Sequence, residues 1–138
     1  MILVDSNVLI DILDQDDHWF EWSSANVNRA VFGAYLFVNP VVVGELAPRF
    51  QILDDLRIIL SAMLISIEPL QAEGAFLAGK AFELHRLRKA PGSAKATLAD
   101  FFIGGHAQAV GATILTRDPR FYRSYFPGVP LITPSKDE

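Results

Sequence analysis

The sequence predicts a three-layer α/β/α domain with a central, mainly parallel sheet. Three short apolar runs, at residues 2–4, 35–38 and 112–115, read as buried strands. Stretches with helical periodicity separate them, and strands alternating with helices of ten or more residues build parallel sheets. An apolar share of 51% against 20% charged residues gives a chain of 138 residues enough material for one packed core. No internal repeat or linker divides residues 1–138, so a single domain is expected.

The elements follow in order. Ile2-Leu3-Val4 feeds, through Asp5-Ser6-Asn7, a helix over Val8 to Leu13, with Ser6 or Asn7 able to accept an orphan amide hydrogen bond at its start. Asp16 and Asp17 suit the cap and first turn of a second helix carrying Trp19, Phe20 and Trp22. After Tyr35-Leu36-Phe37-Val38, Asn39-Pro40 opens a helix holding Val41, Val42, Glu45 and Leu46, which Pro48 ends or kinks. Leu53, Leu56, Ile59, Leu60 and Met63 recur at helical spacing, and a short extended piece, residues 64–67, comes next.

A long helix is expected from Pro69 through Arg88, with Ala72, Ala75, Phe76, Gly79, Phe82 and Leu87 on its apolar face. Gly74 and Gly79 would permit close helix contact. Residues 89–97 read as a basic loop around Pro91-Gly92-Ser93. A further helix carries Asp100, Phe101, Ile103, Ala107 and Val110 and is capped by Gly111. The strand Ala112-Thr113-Ile114-Leu115 runs into Thr116-Arg117-Asp118, and Leu131-Ile132 reads as a last edge strand between Pro130 and Pro134.

Composition excludes some chemistry. With no cysteine there is no disulfide, thiolate nucleophile or cysteine-held zinc, which suits a reducing, cytoplasmic setting. The amino terminus lacks the charged start of a signal peptide, and the uncharged stretch 30–44 is too short and too broken for a membrane span. Residues 1–79 hold 3 basic and 11 acidic side chains; residues 80–123 hold 8 basic and 3 acidic. That asymmetry is either an accident of solvated faces or a phosphate-contacting rim beside an acidic centre. The high apolar share also points to surface buried against a partner, a homodimer first of all.

Four carboxylates are placed to meet. Asp5 and Asp118 follow strands at the sheet edge where ligands bind in parallel α/β folds, Glu45 lies one turn into a helix, and Asp100 lies near a helix start. Each also has a plain reading, as a cap, first-turn acid or turn former. Gathered together they would repel and raise one another's pKa, so the cluster makes sense around a cation. Magnesium prefers such hard oxygen donors and works with phosphate oxygens. Ser6, Asn7 and Thr116 are candidates to orient the carboxylates by hydrogen bonds. Arg117 is placed to contact a phosphate near the metal, and Arg86, Arg88, Lys89 and Lys95 to hold the flanking backbone. Asp11, Asp14, Asp16 and Asp17 read as helix-surface and cap residues. Nothing matches a glycine-rich dinucleotide loop, a phosphate-binding loop or a serine nucleophile elbow.

The segments Val4-Asp5-Ser6-Asn7-Val8-Leu9, Val43-Gly44-Glu45-Leu46, Leu98-Ala99-Asp100-Phe101-Phe102-Ile103-Gly104 and Leu115-Thr116-Arg117-Asp118 resemble, in order and spacing, the motifs of PIN-domain proteins. Within that family the chain looks specifically like the VapC-type toxins of prokaryotic toxin–antitoxin pairs. With the tail 122–127, the likeness spans almost the whole chain; Ser6 stands where threonine is common, which keeps the hydroxyl. The resemblance implies that Asp5, Glu45, Asp100 and Asp118 take the family's metal-binding, catalytic positions. It implies a magnesium-dependent endoribonuclease, with manganese a possible substitute, that hydrolyses RNA, dimerises and is blocked by a cognate antitoxin. Two alternatives stay open: a PIN-like nuclease of RNA processing or structured DNA, and a non-catalytic module that binds a basic protein segment.

Overall fold

Strands β1 (Ile2–Val4), β2 (Leu36–Val38), β3 (Ile65–Ile67), β4 (Thr113–Leu115) and β5 (Leu131–Ile132) form one sheet in the order β3-β2-β1-β4-β5. Every neighbouring pair is parallel, with Leu3 opposite both Phe37 and Ile114. This computed structural model describes residues 1–88 and 96–135. β1 and β2 are buried at every position, as strands covered on both faces must be, which explains their unbroken apolar runs.

The helices between them are α1 (Ser6–Leu13), α2 (Phe20–Val31), α3 (Pro40–Leu46), α4 (Leu53–Ala62), α5 (Ala72–Arg88), α6 (Leu98–Val110) and α7 (Pro119–Tyr125). They cover the sheet as the outer layers of a three-layer α/β/α domain. The chain moves outward from β1 to β2 and β3. Then α5 and α6 carry it back, so that β4 lands on the other side of β1 and β5 lies beyond it. The strand order therefore reverses between β1 and β4. A crevice opens at such a reversal, outside the carboxyl ends of the strands.

Several sequence expectations need correction. Neither Ser6 nor Asn7 caps α1: Asp5 is the capping residue, accepting from the Ser6 amide at 2.8 Å. The helix expected from Pro69 starts at Ala72. Its buried stripe is Gly74, Ala78 and His85, whereas Phe76 and Leu87 are 67% and 79% exposed.

The physical reason for the last correction is the approach of α6. A Cβ on Gly105 would sit 2.4 Å from the Gly74 carbonyl oxygen, and one on Gly74 would sit 3.0 Å from the His106 backbone. Two backbones that close exclude bulky side chains, so the small residues of α5 face inward and its phenylalanine at 76 turns out. Gly104, likewise, leaves room for the Phe126 ring, which an added Cβ would meet at 2.3 Å. Gly79, expected in the contact, meets nothing within 4 Å. Gly111 ends α6 at φ 70°, the left-handed conformation that glycine adopts at little cost.

Candidate active site

Asp5 ends the central strand and starts α1, so the fold buries it to 6% exposure at the crevice. Its Oδ1 accepts from the Ser6 amide at 2.8 Å. Its Oδ2 accepts from the Thr116 hydroxyl and the Tyr122 hydroxyl, both at 2.9 Å, and from the Asn7 amide at 3.5 Å. All these donors are neutral. Burial pushes the Asp5 carboxyl above its ordinary pKa; the hydrogen bonds from Thr116, Tyr122 and Ser6 pull the other way, and the charge of Asp100 adds to the rise. The Tyr122 phenol is driven well above its usual value by burial and by the neighbouring Asp5 carboxylate.

Glu45, on α3, is also raised. Burial is the largest cause, a hydrogen bond with Ser6 opposes it, and the charges of Asp5 and Asp100 reinforce it. Its Oε1 is buried without a hydrogen-bond partner. Asp100 stands at the third position of α6 in a capping box: its Oδ2 accepts from the Thr97 amide at 3.0 Å and hydroxyl at 3.1 Å. Asp118 follows β4, and its amide donates to the Thr116 hydroxyl oxygen at 3.0 Å. Asp5, Asp100 and Asp118 line one cavity of about 390 Å³. Glu45 does not line it and reaches the group through Ser6 and through its charge.

The groups expected to orient the carboxylates all lie at Asp5. Asn7 bridges Asp5, the Thr116 hydroxyl at 3.2 Å and the Arg117 amide at 3.3 Å, and so ties α1 to the end of β4. The basic residues are placed differently. Arg117 is held away from the cavity: its Nε donates to the Asp11 carboxylate at 2.8 Å, and its guanidinium lies 5.6 Å from the Trp19 ring. Asp11, expected on the helix surface, is 1% exposed and also accepts from the Ser23 hydroxyl at 2.8 Å. A buried carboxylate needs such a cation, and that demand claims Arg117. Arg86 and Arg88 are exposed on the last turn of α5, outside the cavity lining. Lys89 and Lys95 lie outside the described residues.

Sequence reasoning missed a second wall of the cavity, formed by His85 from α5 with Arg120, Phe121, Tyr122, Ser124 and Tyr125 from α7. The available signal was faint: after the Pro119 helix start, Phe121, Tyr122 and Tyr125 stand one, three and four residues apart from one another. His106 is buried under α5 and pairs with Asn39 at 3.1 Å, and burial lowers its pKa.

The donor set suits a hard divalent cation in kind. It offers carboxylate oxygens, those of Asp5 and Glu45 with pKa raised by burial first and by neighbouring acidic charge second, and a buried Glu45 oxygen with no partner. Among the described residues, however, no three histidine or acidic side chains stand close enough together to form a coordination group. Also among the described residues, no helix is long and apolar enough to cross a membrane.

Among solved structures, the fold is similar to VapBC2 from Rickettsia felis bound to a promoter DNA fragment, with TM-score 0.73 and 18% identity, covering 98% of this chain and 100% of the other. It is also similar to VapBC-1 from nontypeable Haemophilus influenzae, with TM-score 0.71 and 16% identity over 96% and 98% of the two chains. A third is VapC20 of Mycobacterium tuberculosis, a sarcin–ricin loop cleaving toxin, with TM-score 0.58 and 15% identity over 90% and 95%. No curated protein sequence matches the chain. The sequence profile of the PIN domain matches residues 2–127, a span that runs from β1 through α7 and contains Asp5, Glu45, Asp100 and Asp118; the chain belongs to the PIN domain family.

Proposed function

We propose that this protein is a magnesium-dependent endoribonuclease acting as the toxin of a toxin–antitoxin pair in the cytoplasm. One observation carries the reading: Asp5 is buried at the strand-order reversal on neutral donors alone, in a cavity shared with Asp100 and Asp118. A carboxylate kept there with no cation among its described hydrogen-bond partners is costly for folding and useful for holding one. The family match and the similarity to toxin structures support the biological assignment.

Asp5, Glu45, Asp100 and Asp118 would hold magnesium, or manganese in its place. The ion, when bound, supplies Lewis-acid activation of water and charge neutralisation for hydrolysis of an RNA phosphodiester. The protein's own part is positional. Ser6, Thr116 and Tyr122 fix the Asp5 carboxylate in one orientation, and Asn7 keeps the Asp118 turn against α1. Arg86, Arg88, Lys89 and Lys95 are the residues proposed to hold flanking phosphates. Arg117, committed to Asp11, takes a positioning role instead. The cognate antitoxin is expected to bring a basic side chain to the acidic cavity, and two copies of the chain to form a dimer.

The test is sequencing of RNA ends after brief induction. Wild type should produce new, position-specific ends and arrest growth, whereas Asp5→Asn should produce neither. Identical RNA ends in the two cultures would sink the reading.

A further inference from the structure

The cavity has two unlike sides. One is acidic. The other is an aromatic wall of His85, Phe121 and Tyr125, whose chemistry cation binding does not use. The wall is fixed from behind: Phe101, fully buried, packs edge-on against Phe121 at 4.9 Å and lies 5.5 Å from His85. Tyr125 stands edge-on to His85 at 5.3 Å, and its hydroxyl shares a 2.6 Å hydrogen bond with the histidine Nδ1.

A histidine is a poor choice for packing alone. Its polar ring sits 9% exposed among phenylalanines, and burying a polar group there is costly unless its nitrogens are satisfied. Tyr125 satisfies Nδ1, and His85 itself lines the cavity. Phe121 and Tyr125 are only half-buried, so part of each ring faces the cavity that both line. The volume of about 390 Å³ lies within the range of about 300–1,000 Å³ common for small-ligand sites.

We propose that this wall is a nucleobase subsite, taking one unpaired base beside the phosphate that the acidic side handles. This inference rests on the nuclease reading for its biological meaning. Phe121 and Tyr125 supply the apolar faces for the base, and His85 Nε2 supplies one polar contact to its edge. A flat, partly apolar base fits a rigid aromatic wall, while a carboxylate-lined floor does not receive it. A paired base is stacked in its helix and cannot reach the wall.

The experiment uses uncharged probes and no metal, so that it does not depend on catalysis. Adenosine, cytidine, guanosine, uridine and plain ribose are each titrated into the protein in chelator, and the aromatic side-chain resonances are followed by NMR. At least one nucleoside should bind roughly ten-fold more tightly than ribose, the weight of one stacked base, with shifts at His85, Phe121 and Tyr125. Phe121→Leu, checked for an unchanged melting curve, should erase most of that difference. Equal binding of ribose and all four nucleosides to wild type overturns the proposal, as do shifts confined to other surfaces. Nucleoside binding at the wall in a protein that cuts no RNA would sink the nuclease reading and leave the subsite. RNA cleavage by a protein that binds no nucleoside more tightly than ribose would do the reverse.

Discussion

Helix α1 has a buried aspartate near each end, and the two are treated in opposite ways. Asp11 is 1% exposed and is given a cation, the Arg117 guanidinium at 2.8 Å, plus the Ser23 hydroxyl. Asp5 is 6% exposed and, among the described residues, is given only the Ser6 and Asn7 amides and the Thr116 and Tyr122 hydroxyls. The first site is charge-balanced and joins α1, α2 and the end of β4. The second has no cation among its described hydrogen-bond partners, and the charge of Asp100 adds to the rise in its pKa. Burial alone therefore does not mark a functional carboxylate; burial without a counter-ion does.

The largest expected effect breaks the balanced site. Arg117→Met leaves Asp11 buried with Ser23 alone, and removing one partner of a buried pair costs about 3–5 kcal/mol. Urea unfolding should report a loss of that order. A loss under about 1 kcal/mol would mean that Asp11 finds solvent or another partner, and the contrast with Asp5 would fail.

Next comes the unbalanced site. Asp5→Asn and Asp100→Asn should each fold and should each lower metal-dependent RNA cleavage roughly 100-fold or more. The bound is physical: partners outside the ligand set already cost about 10–100-fold, and a ligand should cost at least as much. Glu45→Gln and Asp118→Asn should follow with smaller losses, since Glu45 stands back from the cavity and Asp118 is exposed. Cleavage at wild-type rates by folded Asp5 and Asp100 variants would end the carboxylate mechanism.

Tyr122→Phe sharpens the comparison further. It removes one hydroxyl from Asp5 Oδ2 and leaves Thr116 in place, so kcat should fall roughly 10-fold while KM for RNA stays near wild type. A KM effect with kcat intact would assign Tyr122 to the substrate instead.

These contrasts also separate what the sequence discloses from what it hides. Asp5 and Asp118 were legible because a short apolar run announces its own end, and Asp100 because it stands near the start of a helix. The strands, the Pro40 helix start and the Gly111 cap are local for the same reason. The burial of Asp11, which reads as a helix-surface residue, could not be told from its neighbours in sequence. The cation that distinguishes Asp11 comes from 106 residues away, and Tyr122 reaches Asp5 from 117 residues away. The inward face of α5 was hidden likewise, because the Gly105 backbone of a different helix decides which side chains fit. Properties fixed by a partner across the fold leave no periodic trace in the chain that carries them.

The smallest expected effect concerns Glu45 and pH. Its folded-state pKa is raised above the ordinary 4.5, chiefly by burial, as that of Asp5 is raised above 3.8. The folded protein therefore binds protons more tightly than the unfolded chain at both groups. Their stabilisation is complete below the ordinary values and is lost as pH rises through the folded ones. In chelator, the melting temperature should decline from about pH 4 upward across the raised carboxyl range, beyond whatever the exposed acids contribute. Glu45→Gln removes one charge from this set and keeps its shape, and Oε1 forfeits no hydrogen bond because it had none. At neutral pH without metal the variant should melt higher than wild type by up to about 3 °C. The gain is modest because the side chain keeps part of its contact with water. Saturating magnesium should reverse the order, since wild type then gains binding energy that the variant loses. A variant that melts below wild type in chelator at neutral pH would show that the Glu45 charge is already compensated within the fold, and the unbalanced site would shrink to Asp5 alone.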